Sequence, residues 1–265
     1  MPLEELLKKR LMVSAVFIVI TLCTIFLAPS FIFFSIVLIF SLLGLYEFLG
    51  LVQKKNIPVN RPMGLVLGAL IAFFIPSGHE FVILALACLA LFVMHFDTRT
   101  QDQALVATAL TVFGLIYVNL FLGYLLKIRA LEHGAGWVFF SILLSKGGDA
   151  GAYFTGKKYG RTKLIEHVSP NKSVEGAIGG FLTSLALAVF SKLYLPHVLL
   201  VHLLLLGSLI GVFSQFGDLA ESLIKRNAGV KDSGEVPGLG GILDVLDSLL
   251  LTVPFIYYYI VTAGI

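Results

Sequence analysis

Long apolar runs alternate with short polar segments along most of this chain. Runs of about 20 apolar residues are typical of membrane-spanning helices, because a helix satisfies its own backbone polar groups where no water is present. The pattern predicts nine such helices, which cover 11–28, 31–52, 63–76, 80–96, 104–126, 136–155, 174–194, 197–222 and 243–262. The eighth run is long, and we expect it to continue as a polar helix through Arg226.

The composition agrees with this pattern. Of the 265 residues, 58% are hydrophobic and 13% are charged, against about half and about a quarter in an average soluble domain. The mean hydropathy is +0.96. We therefore expect an all-α polytopic membrane protein without a separate soluble domain. Cys23 and Cys88 both lie in apolar runs, and we expect buried thiols and no disulfide.

Positive charges concentrate on one side of the predicted membrane. With nine spans, fifteen of the 19 Lys and Arg residues fall on the side of the N-terminus. Lys127, Arg129 and Lys192 fall on the other side, and Lys146 lies within a predicted span. The positive-inside rule then predicts a cytoplasmic N-terminus and a C-terminus outside. We expect an integral protein of the cell (inner) membrane whose chemistry faces the cytoplasm.

Two basic, glycine-rich loops stand out on the predicted cytoplasmic side, at 156–173 and 227–242. Basic loops also act as topology signals and bind anionic headgroups. That interpretation explains the lysines but not the acids beside them. We therefore divide the chain into a transmembrane scaffold of about five helices (1–135) and a catalytic region of about four helices with both loops (136–265).

Carboxylates lie in or at the edges of the last four predicted spans. An ionisable residue in a span costs on the order of a few kcal/mol and by default suggests a function. Asp218 and Glu221 are three residues apart, as are Asp244 and Asp247, so each pair shares one helix face. We expect the two faces to converge on one polar cavity. The carboxylates of this region are Asp149, Glu175, Asp218, Glu221, Asp244 and Asp247.

Oxygen ligands of this kind suit a hard cation such as Mg²⁺. The histidines and cysteines are scattered and form no pattern for zinc. The predicted metal ligands are Asp218, Asp244 and Asp247, with Glu221 or Asp149 as further candidates. The alternative is that these acids only pair with cations, and the candidates for that pairing are Lys146, Lys172, Lys225 and Arg226. Pairing alone is a weak reason to bury a charge.

Three glycines precede the last predicted helix, namely Gly238, Gly240 and Gly241. Glycines let backbone N–H groups approach phosphate, and a helix N-terminus attracts anions. Taken alone, the glycines are equally well explained by a tight turn. Together with the carboxylate pairs and the basic residues, they predict Mg²⁺-dependent handling of a phosphorylated substrate at the cytoplasmic membrane face.

Four sequence blocks follow one another between residues 145 and 250. They are KGGDAGAY from Lys146, SPNKSVEG from Ser169, GDLAE from Gly217, and a long block from Ser222 to Ser248 that contains SLIKR, GVKDSG, PG, GGILD and DS. This series resembles the signature of the phosphatidate cytidylyltransferases, also called CDP-diacylglycerol synthases. Two positions depart from it. The family has His after Pro-Gly where this chain has Leu239, and Arg where this chain has Val245.

The resemblance implies that CTP and phosphatidate react to give CDP-diacylglycerol and pyrophosphate, with Mg²⁺ as the cofactor. It implies catalytic roles for Asp218, Asp244, Asp247 and Lys225. It further implies that substrate is bound by Lys172, Asn171, Ser222, Arg226, Lys231, Asp232, Gly238, Gly240 and Gly241. Metal and lysine charges would dominate this reaction, so the lack of a nucleophilic triad is expected.

Three other interpretations stay open. An ion-coupled membrane transporter also carries acids in its spans, although no internal repeat occurs here. Another intramembrane phospholipid phosphotransferase is a second alternative, although the aspartate pattern of the CDP-alcohol enzymes is missing. A scaffold that no longer catalyses is compatible with Leu239 and Val245.

We expect CTP, phosphatidate and membrane lipids as partners, and no nucleic acid. Small residues in the spans let helices pack closely, either within one chain or in a homodimer. These residues are Gly64, Gly68, Gly176, Gly179 and Gly180.

Overall fold

A computed structural model describes residues 18–96, 101–234 and 240–265, and these ranges are almost entirely helical. In chain order the helices are α1 (18–26), α2 (Ser30–Gln53), α3 (Arg61–Phe74), α4 (Glu80–His95), α5 (Gln101–Gly114), a π-helix (Leu115–Leu120), α6 (Phe121–Arg129), α7 (Gly134–Tyr159), α8 (Val174–Phe190), a 3₁₀ turn (Ser191–Leu193), α9 (Leu200–Asn227), α10 (Ile242–Leu250) and α11 (Thr252–Ala263). Two antiparallel strands, β1 (Lys163–Ile165) and β2 (Ser169–Ser173), lie between α7 and α8.

Every predicted span coincides with a described helix, although the run over 11–28 lies partly outside the described residues. In the described ranges, five helical stretches are long and apolar enough to cross a membrane, and they are Ser30–Gln53, Asp102–Arg129, Val174–Leu193, Leu200–Asn227 and Ile242–Ala263. The polytopic, all-helical class is thus confirmed, apart from the small hairpin. With 14 and 16 residues, α3 and α4 are shorter, and nine crossings stay a prediction. The expected helical extension through Arg226 is confirmed, because α9 continues to Asn227.

The predicted basic loop 156–173 is mostly ordered structure. Helix α7 continues to Tyr159, and the hairpin fills the rest. Glu175, in the first turn of α8, accepts hydrogen bonds from the backbone N–H groups of Arg161 (3.0 Å) and Thr162 (3.2 Å). The Ser173 hydroxyl caps the same helix by accepting from the Gly176 N–H (3.1 Å). Glu175 therefore holds the hairpin to the start of α8 and does not join the other carboxylates.

Helices α7 and α8 pack backbone to backbone along a seam of small residues. A Cβ atom on Gly180 would lie 2.9 Å from the carbonyl oxygen of Gly148, and one on Gly176 would lie 2.9 Å from that of Ala152. Such close approach is common between helices in a membrane, because the hydrophobic effect does not drive helices together in lipid and close packing has to stabilise them. The seam holds α7, which carries Lys146 and Asp149, at a set distance from α8.

The glycines considered for helix packing all contact neighbouring helices of the same chain. Gly64 and Gly68 of α3 lie against Leu49 and Leu45 of α2, and Gly179 lies against Thr155. They therefore favour packing within one chain and give the alternative of a homodimer no support.

Outward-facing side chains are strongly apolar, as a lipid-facing surface requires. Phe31 is 70% exposed and Phe73 is 65% exposed, whereas Trp137 and Phe140 of α7 are fully buried. Both cysteines are free thiols, as predicted. The expectation that both are buried is wrong, because Cys23 is exposed on α1 and Cys88 is only half-buried.

Candidate active site

One carboxylate from each of the two predicted pairs contacts the same ammonium group. Lys225 lies 2.5 Å from Glu221 on its own helix and also pairs with Asp244 of α10. Glu221 is 0% exposed and Lys225 is 9% exposed, so the network is buried. Glu221 contacts Lys225 as an ion pair, and its oxygens take no hydrogen bond among the described residues. Opposite charges can be buried together in this way, whereas either one alone would be costly.

A second network joins α7 to α10. The Lys146 ammonium lies 3.2 Å from Asp149 and 3.4 Å from Asp247. The Ser248 hydroxyl accepts from Lys146 (2.8 Å) and from Ser145 (3.0 Å), and it donates to Asp149 (2.7 Å). All three hydrogen-bonding capacities of Ser248 are therefore used. Lys146 was considered above only as a cation that pairs with acids, yet it lies at the middle of this network.

The hairpin contributes a third cation. Lys172 of β2 lies 2.6 Å from Asp218 of α9, and the Ser222 hydroxyl donates to the same carboxylate at 3.4 Å. Both Lys172 and Asp218 remain partly exposed, with side-chain exposures of 26% and 30%. The pair of Lys146 with Asp149 is similarly exposed, at 38% and 32%, so two of the ion pairs in this centre are open to solvent.

Glu47 of α2 reaches this region from the first half of the chain. Its carboxylate accepts hydrogen bonds from the backbone N–H groups of Ile242 and Leu243, both at 2.9 Å, and from the Ser233 hydroxyl at 2.8 Å. Asp244 accepts from the Gly241 N–H (2.6 Å) and from the Ser233 N–H (2.9 Å). Two carboxylates therefore cap the start of α10, where helix N–H groups have no partners of their own.

These caps correct one expectation about the glycine-rich turn. The first N–H groups of α10 were expected to be available to phosphate, but they donate to Glu47 and Asp244. Gly241 has a packing role instead, because a Cβ atom there would collide with the Ser233 side chain, and Gly240 has a φ of +82°. Gly238 lies outside the described residues. Contact between these glycines and substrate stays a prediction.

Other predicted substrate contacts lie at the rim of the centre. The Arg226 guanidinium donates to the carbonyl oxygens of Val168 (3.3 Å) and Val230 (3.0 Å), so it ties the hairpin to the turn after α9. Val245 is partly exposed on α10, and Leu239 is outside the described residues. Three further predicted contacts are exposed, namely Asn171 on β2 and Lys231 and Asp232 in the turn after α9. Lys231 and Asp232 have no ion pair within the described ranges.

Tyr117, on the π-helix, was missed by the sequence analysis. Its side chain is 3% exposed, and its ring stacks on Phe113 with 5.4 Å between centroids. The carboxylates of Glu221, Asp247 and Asp218 are close enough to act on its hydroxyl electrostatically. A tyrosine within an apolar run carries no signal that distinguishes it from a packing residue.

The carboxylates of the centre could supply some, but not all, of the ligands that Mg²⁺ requires. Within the described ranges, no three or more Asp, Glu, His or Cys side chains are placed to hold a metal by themselves. Each predicted metal ligand instead faces a lysine, so the pairing alternative describes the observed contacts of Lys146, Lys172 and Lys225, though not those of Arg226. Mg²⁺ commonly takes only one or two carboxylates and completes its shell with phosphates and water. Asp149 and Asp247, which share Lys146, fit that requirement, as does the accessible Asp218.

Sequence comparisons agree with the site. The chain matches the model of the cytidylyltransferase family over residues 8–263. It is 35% identical over 233 residues to the phosphatidate cytidylyltransferase of Bacillus subtilis, which covers 81% of this chain and 83% of that protein. It is 50% identical over 116 residues to the phosphatidate cytidylyltransferase of Synechocystis, which covers 43% of this chain and 39% of that one. For the protein of that name from Thermotoga maritima, the identity is 37% over 166 residues, or 60% and 61% of the two chains.

Proposed function

Because this chain belongs to the cytidylyltransferase family, we propose that its polar centre joins CTP to phosphatidate, giving CDP-diacylglycerol and pyrophosphate. The observation that carries this proposal is the convergence of Lys146, Lys172 and Lys225, each with its carboxylates, among apolar helices. Relatives with 35% and 50% identity bear the name of this activity. An apolar surround suits a lipid substrate, and the lysines suit its phosphate.

The reaction can be written without a protein nucleophile. A phosphate oxygen of phosphatidate attacks the α-phosphorus of CTP and forms a new P–O–P bridge. The bond from the α-phosphorus to the β-phosphate oxygen breaks, and pyrophosphate leaves with that electron pair. Two anions have to meet, so the main barrier is charge repulsion, which fixed cations reduce most effectively where water is excluded. The three lysines supply such cations.

Each lysine is compensated by a carboxylate in the protein without substrate. Arriving phosphates would compete with those carboxylates for the ammonium groups. Lys172 is the first candidate for this exchange, since its pair with Asp218 is partly exposed and Lys172 pairs with one carboxylate alone among the described residues. Lys225 is the second, because it can hold a phosphate at the start of α10 while staying anchored by Glu221. Arg226 and Lys231 lie at the rim, where the triphosphate would enter.

We further propose Mg²⁺ as the cofactor, with Asp218 and Asp247 as ligands and Asp149 beside them. When bound, it would neutralise phosphate charge and orient the nucleotide. Asp244 is less suited to this role than the sequence suggested, because Lys225, Ser233 and Gly241 already engage its oxygens. Glu221 is enclosed with Lys225. These two residues would serve chiefly to position Lys225.

The chain is an integral membrane protein with several apolar helices. We propose that the polar centre faces the cytoplasm, where CTP is made available, and that the N-terminus lies on the same side. The bias of basic residues supports this orientation. A cysteine introduced at Lys231, in the exposed turn after α9, should then react with a membrane-impermeant maleimide only in inside-out vesicles.

The direct test is a reconstitution assay with purified full-length protein in detergent micelles. CTP, phosphatidate and Mg²⁺ are supplied together and then left out one at a time, while pyrophosphate and CDP-lipid are measured. We expect both products only when all three components are present. Folded protein that releases no CDP-lipid in the complete mixture would contradict the proposed reaction. Activity that persists in EDTA would contradict the metal requirement alone.

A further inference from the structure

One buried hydroxyl group near the carboxylates of the polar centre has no hydrogen-bond partner among the described residues. Tyr117 is 3% exposed, and its hydroxyl oxygen makes no hydrogen bond to any residue that the structure describes. A buried hydroxyl without a partner costs about 1–3 kcal/mol. Buried polar groups are almost always satisfied, so an exception of this kind needs an explanation.

The position of this hydroxyl indicates what could satisfy it. Glu221, Asp247 and Asp218, which surround the proposed phosphate-binding lysines, all lie close enough to act on it electrostatically. Glu221 also has oxygens without a hydrogen bond, yet Tyr117 does not donate to them. The phenol is therefore an unused donor close to three carboxylates, each of which pairs with one of the three lysines.

The ring is held firmly. It stacks on Phe113, with an angle of 9° between the planes, and it meets Phe121 edge-on with 6.3 Å between centroids. These neighbours flank the π-helix at Leu115–Leu120, which is the irregular turn in the continuous helical stretch formed by α5 and α6. Single π turns within α-helices often occur at functional sites, because they redirect a side chain at a cost in helix stability. A donor that is rigid before binding loses little entropy when it binds.

We propose that the Tyr117 hydroxyl donates a hydrogen bond to a phosphate oxygen of a substrate bound among Lys146, Lys172 and Lys225. This inference rests on the proposed function of the centre. The acceptor is an ionised phosphate oxygen, which belongs either to phosphatidate or to CTP. The bond would supply the missing partner of Tyr117 and would help to orient the phosphate for in-line attack.

The test compares two tyrosine-to-phenylalanine substitutions. Tyr117→Phe removes the unpaired hydroxyl, so we expect an unchanged or higher thermal unfolding midpoint together with a roughly ten- to hundred-fold lower kcat/KM. Tyr124→Phe is the matched control. Its hydroxyl bonds to that of Tyr258 at 2.7 Å in the group that also contains Lys127. This control should lower the unfolding midpoint and leave activity within two-fold of the wild type.

The kinetic constants identify the acceptor. A rise in KM confined to phosphatidate would assign the bond to the lipid phosphate, and a rise confined to CTP would assign it to the nucleotide. A fall in kcat alone would place the bond in the transition state. Activity of Tyr117→Phe within two-fold of the wild type would overturn the inference. A loss of activity accompanied by an equal loss of folded protein would overturn it as well.

A binding experiment separates this inference from the proposed reaction. The shift in unfolding midpoint caused by CTP with Mg²⁺, or by short-chain phosphatidate, is measured for the wild type and for Tyr117→Phe. If the wild type binds either ligand without turnover, the proposed reaction fails, yet a smaller shift in the variant still supports the role of Tyr117. If the wild type and Tyr117→Phe show equal shifts with CTP and equal shifts with phosphatidate, that role is contradicted. It is also contradicted if the wild type binds neither ligand.

Discussion

Glu47 accepts a hydrogen bond from the backbone N–H of Leu243 at 2.9 Å, across 196 positions of sequence. This contact places a carboxylate from α2 at the start of α10, next to Asp244. Tyr117 reaches the same region from the π-helix. The predicted scaffold region 1–135 therefore contributes side chains to the polar centre of region 136–265. We expect the two regions to depend on each other for folding and for activity.

Replacing Glu47 by Gln should disturb the start of α10. One carboxylate oxygen becomes an amide nitrogen, which cannot accept from Ile242 or Leu243. Loss of a hydrogen bond to a charged group costs about 1.5–3 kcal/mol, so the thermal unfolding midpoint should fall. Activity should fall further, because Asp244 and the turn at Ser233 share this support.

Glu132→Gln is the control for this prediction. Glu132 is 92% exposed and, among the described residues, forms an ion pair with the neighbouring His133 alone, so the same change should alter neither property. An unfolding midpoint for Glu47→Gln equal to that of the control would show that the cap contributes nothing to stability.

Replacing Lys225 by Met should destabilise the protein strongly. Glu221 would remain fully buried without its counter-charge, and breaking a buried ion pair in this way costs about 3–5 kcal/mol. The double variant Lys225→Met with Glu221→Gln should regain much of the lost stability, since the stranded charge is gone. It should stay inactive, because no ammonium group remains at that position.

The measurements are unfolding midpoints and CDP-lipid formation for the single and double variants. Additive effects on stability would contradict coupling between the two side chains. An active double variant would remove Lys225 from the proposed phosphate contacts.

Replacing Gly217 by Ala should separate α9 from α10. A Cβ atom at this position would collide with the backbone carbonyl oxygen of Asp247, which cannot move without its helix. Asp247 would then shift relative to Lys146. The folding equilibrium constant and kcat/KM should each fall by about an order of magnitude or more. Thermal unfolding and the product assay report the two effects.

Gly136→Ala is the matched control, because the nearest atom to its new Cβ would be the tip of the Leu195 side chain at 3.0 Å and no backbone atom would be in its way. We expect it to remain active. If Gly217→Ala is as active as Gly136→Ala, the close contact between α9 and α10 does not position Asp247.

The proposed metal role of Asp218 predicts a specific change in magnesium dependence. Loss of a residue that only supports a metal ligand typically lowers metal affinity roughly 10–100-fold. In Asp218→Asn a ligand itself is lost, so the Mg²⁺ concentration for half-maximal activity should rise by at least that factor. Lys172→Met removes the partner of the same carboxylate. That variant should raise the KM of a substrate and leave the Mg²⁺ requirement near that of the wild type. Equal Mg²⁺ titrations for wild type and Asp218→Asn would exclude Asp218 as a ligand.

Sequence alone determined the class of this protein and the positions of its helices. Hydropathy acts locally, because each apolar run must satisfy its own backbone in lipid, so runs such as 31–52 and 197–222 map directly onto α2 and α9. The spacing of Asp218 with Glu221, and of Asp244 with Asp247, also determined that each pair shares a face. Their convergence through Lys225 followed that prediction.

Tertiary structure alone decided which groups complete the centre. Glu47 and Tyr117 lie in apolar runs far from the recognisable blocks, and Lys146 opens one of those blocks without being one of its acids. Only packing brings these three residues to α10. Packing likewise decided that the N–H groups at the start of α10 serve two carboxylates and are not left for phosphate. Periodicity specifies which face a residue occupies, whereas the partner across that face depends on how distant helices pack, which local sequence does not encode.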